Sequence, residues 1–92
     1  MAQIEVSVPG LLRDCTAGRA RFPIEATTLE AAIESLVTTY PLLRFHLYDE
    51  QERLRSHVLL YFNEENVAWL ERRDVPLKPG DRLAVLQNVS GG

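Results

Sequence analysis

The sequence has a single cysteine, Cys15, so it cannot close an internal disulfide and does not read as a stapled secreted domain. It has no basic amino-terminal start followed by an apolar run, and nowhere do about 18 uncharged apolar residues follow one another. The expectation is a cytoplasmic protein without a membrane partner. Charge of either sign is also modest. Ten basic against thirteen acidic residues leave a formal net charge of -3, too little for a phosphate-binding surface, so no nucleic acid is expected as a partner. Lysine is nearly absent: nine of the basic residues are arginine, and Lys78 supplies the only side-chain amine.

What is present fits one small domain. At 92 residues with 46% hydrophobic and 25% charged residues, the composition is that of an ordinary globular chain. Residues 3–8 alternate, with Ile4, Val6 and Val8 on one side, as a half-buried strand requires. Pro9-Gly10 ends it. A loop containing Gly18 leads to a second strand over residues 20–26, in which Pro23 demands an edge or a bulge. Thr27 followed by Glu30 reads as a capping box. From there Leu29, Ala32, Ile33, Leu36, Val37 and Tyr40 form one helical stripe that Pro41 interrupts, and residues 42–48 read as a short second helix.

Asp49, Glu50, Glu52, Arg53 and Arg55 form a charge run expected to be solvated loop. Residues 57–62 read as a third strand offering Val58, Leu60 and Phe62 to the core, and residues 63–66 as a turn. Residues 67–70 fit a short strand, with Trp69 packed inside on the usual burial of large aromatics or, as the alternative, serving with Leu70 as an interface anchor. Pro79-Gly80-Asp81 is a turn signal ahead of a last alternating strand over residues 82–87. Strand, strand, helix, strand, short strand, strand implies an α+β fold: a ubiquitin-like β-grasp with a mixed sheet of four to five strands and one main helix across it. The boundaries expected are residues 1–87 for the domain and 88–92 for a flexible tail.

The tail ends Val89-Ser90-Gly91-Gly92. Two terminal glycines arise by chance in about one chain in 200, so the pair alone is suggestive, and a frayed end would look the same. Combined with a β-grasp order it fits a specific chemistry. Residues without a Cβ let the backbone pass through a narrow channel of a partner enzyme, with Val89, Ser90 and Gly91 threading and Gly92 presenting its carboxylate for activation.

The segments Pro79-Gly80-Asp81-Arg82-Leu83-Ala84-Val85-Leu86 and Val89-Ser90-Gly91-Gly92 resemble the end of MoaD/ThiS-type sulfur carriers. The resemblance extends to Tyr61-Phe62-Asn63-Glu64-Glu65-Asn66-Val67 and Val8-Pro9-Gly10-Leu11-Leu12-Arg13, where it is strongest toward the carriers of cysteine synthesis. It implies a carrier and not an enzyme, with no cofactor of its own. A ubiquitin-activating-type adenylyltransferase would use ATP to activate Gly92, sulfur would be loaded as a thiocarboxylate, and a biosynthetic enzyme would accept it. A metallopeptidase is a further partner consistent with the cysteine branch, and the free chain is expected to be monomeric. Small subunits of molybdopterin synthase are similar at the tail but commonly carry two prolines where this chain has Gln87-Asn88. A ubiquitin-like modifier that forms isopeptide bonds through Gly92 is the other alternative.

Alternation also predicts a partner-binding surface. If Leu83 and Val85 face the core, then Leu59, Tyr61, Ala84 and Leu86 share the opposite, uncovered face. Cys15 lacks an evident activating group and reads as a small buried hydrophobe. His46 and His57 share no metal-ligand spacing with it, so no metal site is assigned. Arg72, Arg73 and Asp74 read as surface charge.

Overall fold

The computed structural model describes residues 1–55 and 58–87. Its strands are β1 (Ala2–Ser7), β2 (Arg21–Ala26), β3 (Val58–Phe62), β4 (Glu65–Asn66) and β5 (Arg82–Gln87), and its helices are α1 (Leu29–Thr39) and α2 (Pro41–Leu47). They form one five-stranded mixed sheet in the order β2-β1-β5-β3-β4. The last strand therefore lies at the centre, parallel to β1 and antiparallel to β3. This is the ubiquitin-like β-grasp that the element order predicts.

β1 and β2 pair without a break from Ala2 opposite Ala26 to Ser7 opposite Arg21. Pro23 needs no bulge, because β2 has a neighbour on one side only and the missing amide N–H is tolerated on an edge strand. Alternate residues of both strands are buried, including Ile4, Val6, Phe22 and Ile24. α1 lays Leu29, Ala32, Ile33, Leu36 and Val37 against them. Each of the larger side chains among them, Ala32 excepted, stabilises the fold by about 1.5–3 kcal/mol when fully removed from water.

The start of α1 departs from expectation. The cap is Thr28, whose side-chain oxygen accepts from the Ala31 N–H at 3.2 Å, and not Thr27 paired with Glu30. Thr27 is held by its own backbone, its carbonyl accepting from Leu77 N–H at 3.0 Å. Glu30 then falls one position early for a capping box. The two remaining free amides of the helix start, on Leu29 and Glu30, donate to the carbonyls of Val75 and Arg73 at 2.9 and 2.8 Å. The segment before β5 thus closes the end of the helix.

Pro41 stops α1 and also begins α2, as proline at the first helical position can do because its fixed φ suits the helix and its missing N–H is not needed. Leu43 and Leu47, one turn apart, are its buried residues. Two members of the charge run prove to be structural. The Asp49 carboxylate accepts from the Gln51 and Arg53 amides at 2.8 and 3.0 Å, and Arg55 Nε donates to the carbonyls of Phe45 and Tyr48 at 2.9 and 3.0 Å, covering the end of α2.

Two further segments differ from the sequence reading. The expected loop after β1 contains a 3₁₀ helix, Gly10–Thr16, which buries Leu12 and Thr16; the Thr16 hydroxyl donates to the Arg19 carbonyl at 2.8 Å. Residues 67–70 are not a strand: Glu65–Asn66 pairs with β3, and Val67–Trp69 is a 3₁₀ turn capped by the Asn66 side chain, which accepts from Ala68 N–H at 2.9 Å. The cap sets the phase of that turn so that Val67 points inward. Trp69 consequently stands out from the surface, 79% exposed, and is not a core residue.

Candidate functional site

The site is built around β5, because that strand leads to the tail. Its start is locked from three directions. Gly80 adopts φ 91°, a conformation that favours glycine, and the turn closes through Asp81 N–H to the Lys78 carbonyl at 3.1 Å and Lys78 N–H to the Asp81 carboxylate at 2.8 Å. Asn63, itself at φ 56°, exchanges two bonds with Arg82: its N–H donates to the Arg82 carbonyl at 2.8 Å and its side-chain oxygen accepts from Arg82 N–H at 3.0 Å. Its side-chain nitrogen donates to Asp81 Oδ1 at 3.4 Å. Asn63 reads in the sequence as a turn residue only. The available signal was its side chain, which can donate and accept at once and tolerates the left-handed conformation.

From there β5 alternates as predicted. Leu83 and Val85 are buried together with Val58 and Leu60. Leu86 lies opposite Leu59, and Ala84 opposite Tyr61, so the four residues expected on the uncovered face form two adjacent cross-strand pairs. Leu59, Tyr61 and Ala84 are half-buried, while Leu86 is 44% exposed. This is an apolar strip along β3 and β5.

Beside it the same face turns polar. Glu5 lies next to Arg82 and Ser7 next to Ala84 across the parallel pairing, and Arg21 lies opposite Ser7. With Asn63 and Glu64 they line an open hollow of about 350 Å³. None of Glu5, Arg21, Glu64 or Arg82 takes part in a salt bridge among the described residues. These charges stay available to an incoming surface.

The parallel pairing with β1 covers Arg82 to Ala84, whereas the pairing with β3 runs on to Gln87, which faces Val58. β5 therefore ends, at Gln87, beside the apolar strip. Asn88 and the predicted tail residues Val89, Ser90, Gly91 and Gly92 lie outside the described residues, as does His57, the expected first residue of the third strand.

No cluster of three or more His, Cys, Asp or Glu suited to a metal ion is found among the described residues. Cys15 is half-buried, and burial pushes its thiol above the ordinary value, with the Asp14 carboxylate adding to the rise. Such a thiol is a weak nucleophile. Tyr48 lies on the opposite, helical side. Burial raises its hydroxyl pKa, and Arg73 and Arg44 partly offset the rise. No helix among the described residues is long and apolar enough to cross a membrane.

Comparison with known proteins agrees with this geometry. The ThiS family model matches residues 6–92. The sulfur carrier protein CysO of Mycobacterium tuberculosis is 30% identical over 91 residues, covering 97% of this chain and 98% of that protein. A chain of the BexX/CysO complex of Amycolatopsis orientalis superposes with a TM-score of 0.79 at 28% identity, over 97% of this chain and 99% of that one. Small archaeal modifier protein 1 of Methanosarcina acetivorans does so with a TM-score of 0.79 at 26% identity, over 100% and 98%. With a family match that begins inside β1 and runs through the central strand to Gly92, on a β-grasp sheet shared by these relatives, the chain belongs to the ThiS family.

Proposed function

We propose that this chain is a sulfur carrier, loaded as a thiocarboxylate on Gly92, and that it is a substrate of enzymes and not a catalyst. The observation that carries the reading is the position of β5: the central strand of the sheet runs along the Leu59, Tyr61, Ala84 and Leu86 strip and ends at Gln87, five residues before Gly92 in the sequence. A carboxylate is a poor electrophile. Joined to AMP with release of pyrophosphate from ATP, it becomes a mixed anhydride, and hydrosulfide then displaces AMP and gives up its proton to leave C(=O)S⁻.

In this reading the partner adenylyltransferase grips the apolar strip and draws residues 89–92 into its channel. The carrier contributes no cofactor, and ATP belongs to the partner. The likeness to CysO favours cysteine or a related thio-metabolite as the destination of the sulfur, with a biosynthetic enzyme as acceptor and a metallopeptidase as a further partner. The compartment is the cytoplasm. ATP–pyrophosphate exchange by the adenylyltransferase should depend on this chain, and deletion of Gly92 should abolish it; exchange that persists without Gly92 would refute the reading.

A second reading has support from the superposition on small archaeal modifier protein 1: the activated Gly92 is passed to lysines of other proteins. High-mass adducts on a denaturing gel, lost on deletion of Gly92, would identify that activity.

A further inference from the structure

Trp69 is the largest apolar side chain left outside the core, and the local structure holds it there. Asn66, itself buried, caps the turn by accepting from Ala68 N–H at 2.9 Å, and Leu70 N–H closes it on the Val67 carbonyl at 3.1 Å. Val67 is fully buried, so the turn cannot roll the indole inward without exposing Val67 in its place. The turn directly follows β4, the outermost strand at the edge of the sheet opposite β2.

Ala68 beside the indole is exposed and Leu70 is half-buried, so residues 68–70 present a short apolar patch. Glu65 and Glu71 bound it along the chain, both exposed and in no salt bridge among the described residues. Each residue of a 3₁₀ turn advances only about 2 Å, which keeps both carboxylates close to any group that meets the indole. Arg72, the nearest cation along the chain, is already engaged: its Nε and Nη2 donate to the two Asp74 carboxylate oxygens at 2.9 and 2.6 Å. Two uncompensated negative charges therefore flank the aromatic face.

That combination selects what covers it. The carboxylates repel the phosphates of nucleic acid and of anionic lipid headgroups. A guanidinium or ammonium group is attracted twice, by the carboxylates and by the face of the indole, which binds cations better than the other aromatic rings do. Tryptophan is also a frequent energetic centre of protein interfaces, with apolar contact around it and charge at the rim.

We propose that Trp69, flanked by Glu65 and Glu71, is a second docking surface, for a protein partner whose apolar recess is edged by arginine or lysine. It is distinct from the strip on β3 and β5 and does not depend on the chemistry of Gly92.

Trp69 is the only tryptophan of the chain, so intrinsic emission reports on this site alone. The probe is a capped peptide of alternating arginine and leucine, with a counterpart carrying glutamate in place of arginine. At low ionic strength the arginine peptide should shift the emission to shorter wavelength and bind at least about tenfold more tightly than the glutamate one; salt at about 0.5 M should weaken it at least about fivefold. Anisotropy of the labelled arginine peptide then compares variants. Trp69→Ala, and Glu65→Gln combined with Glu71→Gln, should each weaken binding at least about fivefold, while Phe45→Ala, at an exposed aromatic on α2, should leave it unchanged. Failure of the arginine peptide to bind, equal binding of the two peptides, or a Trp69→Ala chain that binds as the wild type does would overturn the proposal. So would an emission shift with phosphatidylcholine vesicles, or self-association that Trp69→Ala removes, since each names a different occupant.

Discussion

The two faces of β3 and β5 are made from alternate residues of the same strands, yet their surroundings differ completely. Val58, Leu60, Leu83 and Val85 are buried beneath the helices and touch the rest of the core. Leu59, Tyr61, Ala84 and Leu86 are also largely apolar but stay half-buried or exposed. The first set gives stability; the second keeps apolar area open to solvent, where it adds little to folding and, in the proposed function, serves as the partner's docking strip. One pair of strands thereby carries both roles, and substitution can separate them.

The largest expected effect on stability comes from the buried face: Leu83→Ala should lower unfolding free energy by about 2–5 kcal/mol in denaturant titration. Asn63→Ala removes the side-chain bonds to Arg82 and Asp81 and leaves a non-glycine residue at φ 56°, so a loss on the order of 1–3 kcal/mol is expected by the same measurement. Thr28→Ala should cost about 1 kcal/mol, whereas Thr27→Ala should cost less if Thr28 is the true cap. Leu86→Ser on the open face should change stability by no more than about 0.5 kcal/mol. Its effect should appear instead as a raised KM for the chain in adenylation assays.

The smallest effect is electrostatic. The Arg53 backbone amide, with the Gln51 amide and the Arg53 and Arg55 charges, holds the exposed Asp49 carboxyl below its ordinary pKa. A depressed folded-state pKa contributes stability above the unfolded value and loses it as pH falls through the folded one. Asp49→Asn should therefore flatten slightly the acid side of the stability profile and leave neutral pH nearly unchanged apart from the lost turn.

Much of this was legible because period-two alternation carries its own geometry. Reading Leu83 and Val85 as inward places Leu59, Tyr61, Ala84 and Leu86 together on the other face, whereas their meeting as two cross-strand pairs is set by a register that alternation alone does not fix. The stripe on α1 was equally plain. What escaped the sequence depended on choices between near-equal neighbours or on distant partners. Thr27 and Thr28 offer the same cap chemistry, and the Leu77 and Pro76 backbones decide between them. An average tendency buries Trp69, but the Asn66 cap fixes the turn with Val67 inward and Trp69 exposed. Asn63 acts on Asp81 and Arg82, eighteen and nineteen residues away, where no local pattern reaches.

The proposed function makes Gly92 the atom-exchanging end of the protein. Incubation with its adenylyltransferase, ATP and a sulfur source, followed by intact-mass measurement, should show a gain equal to one oxygen-to-sulfur exchange that disappears when Gly92 is deleted. A carboxylate that stays unmodified while ATP is turned over would contradict it.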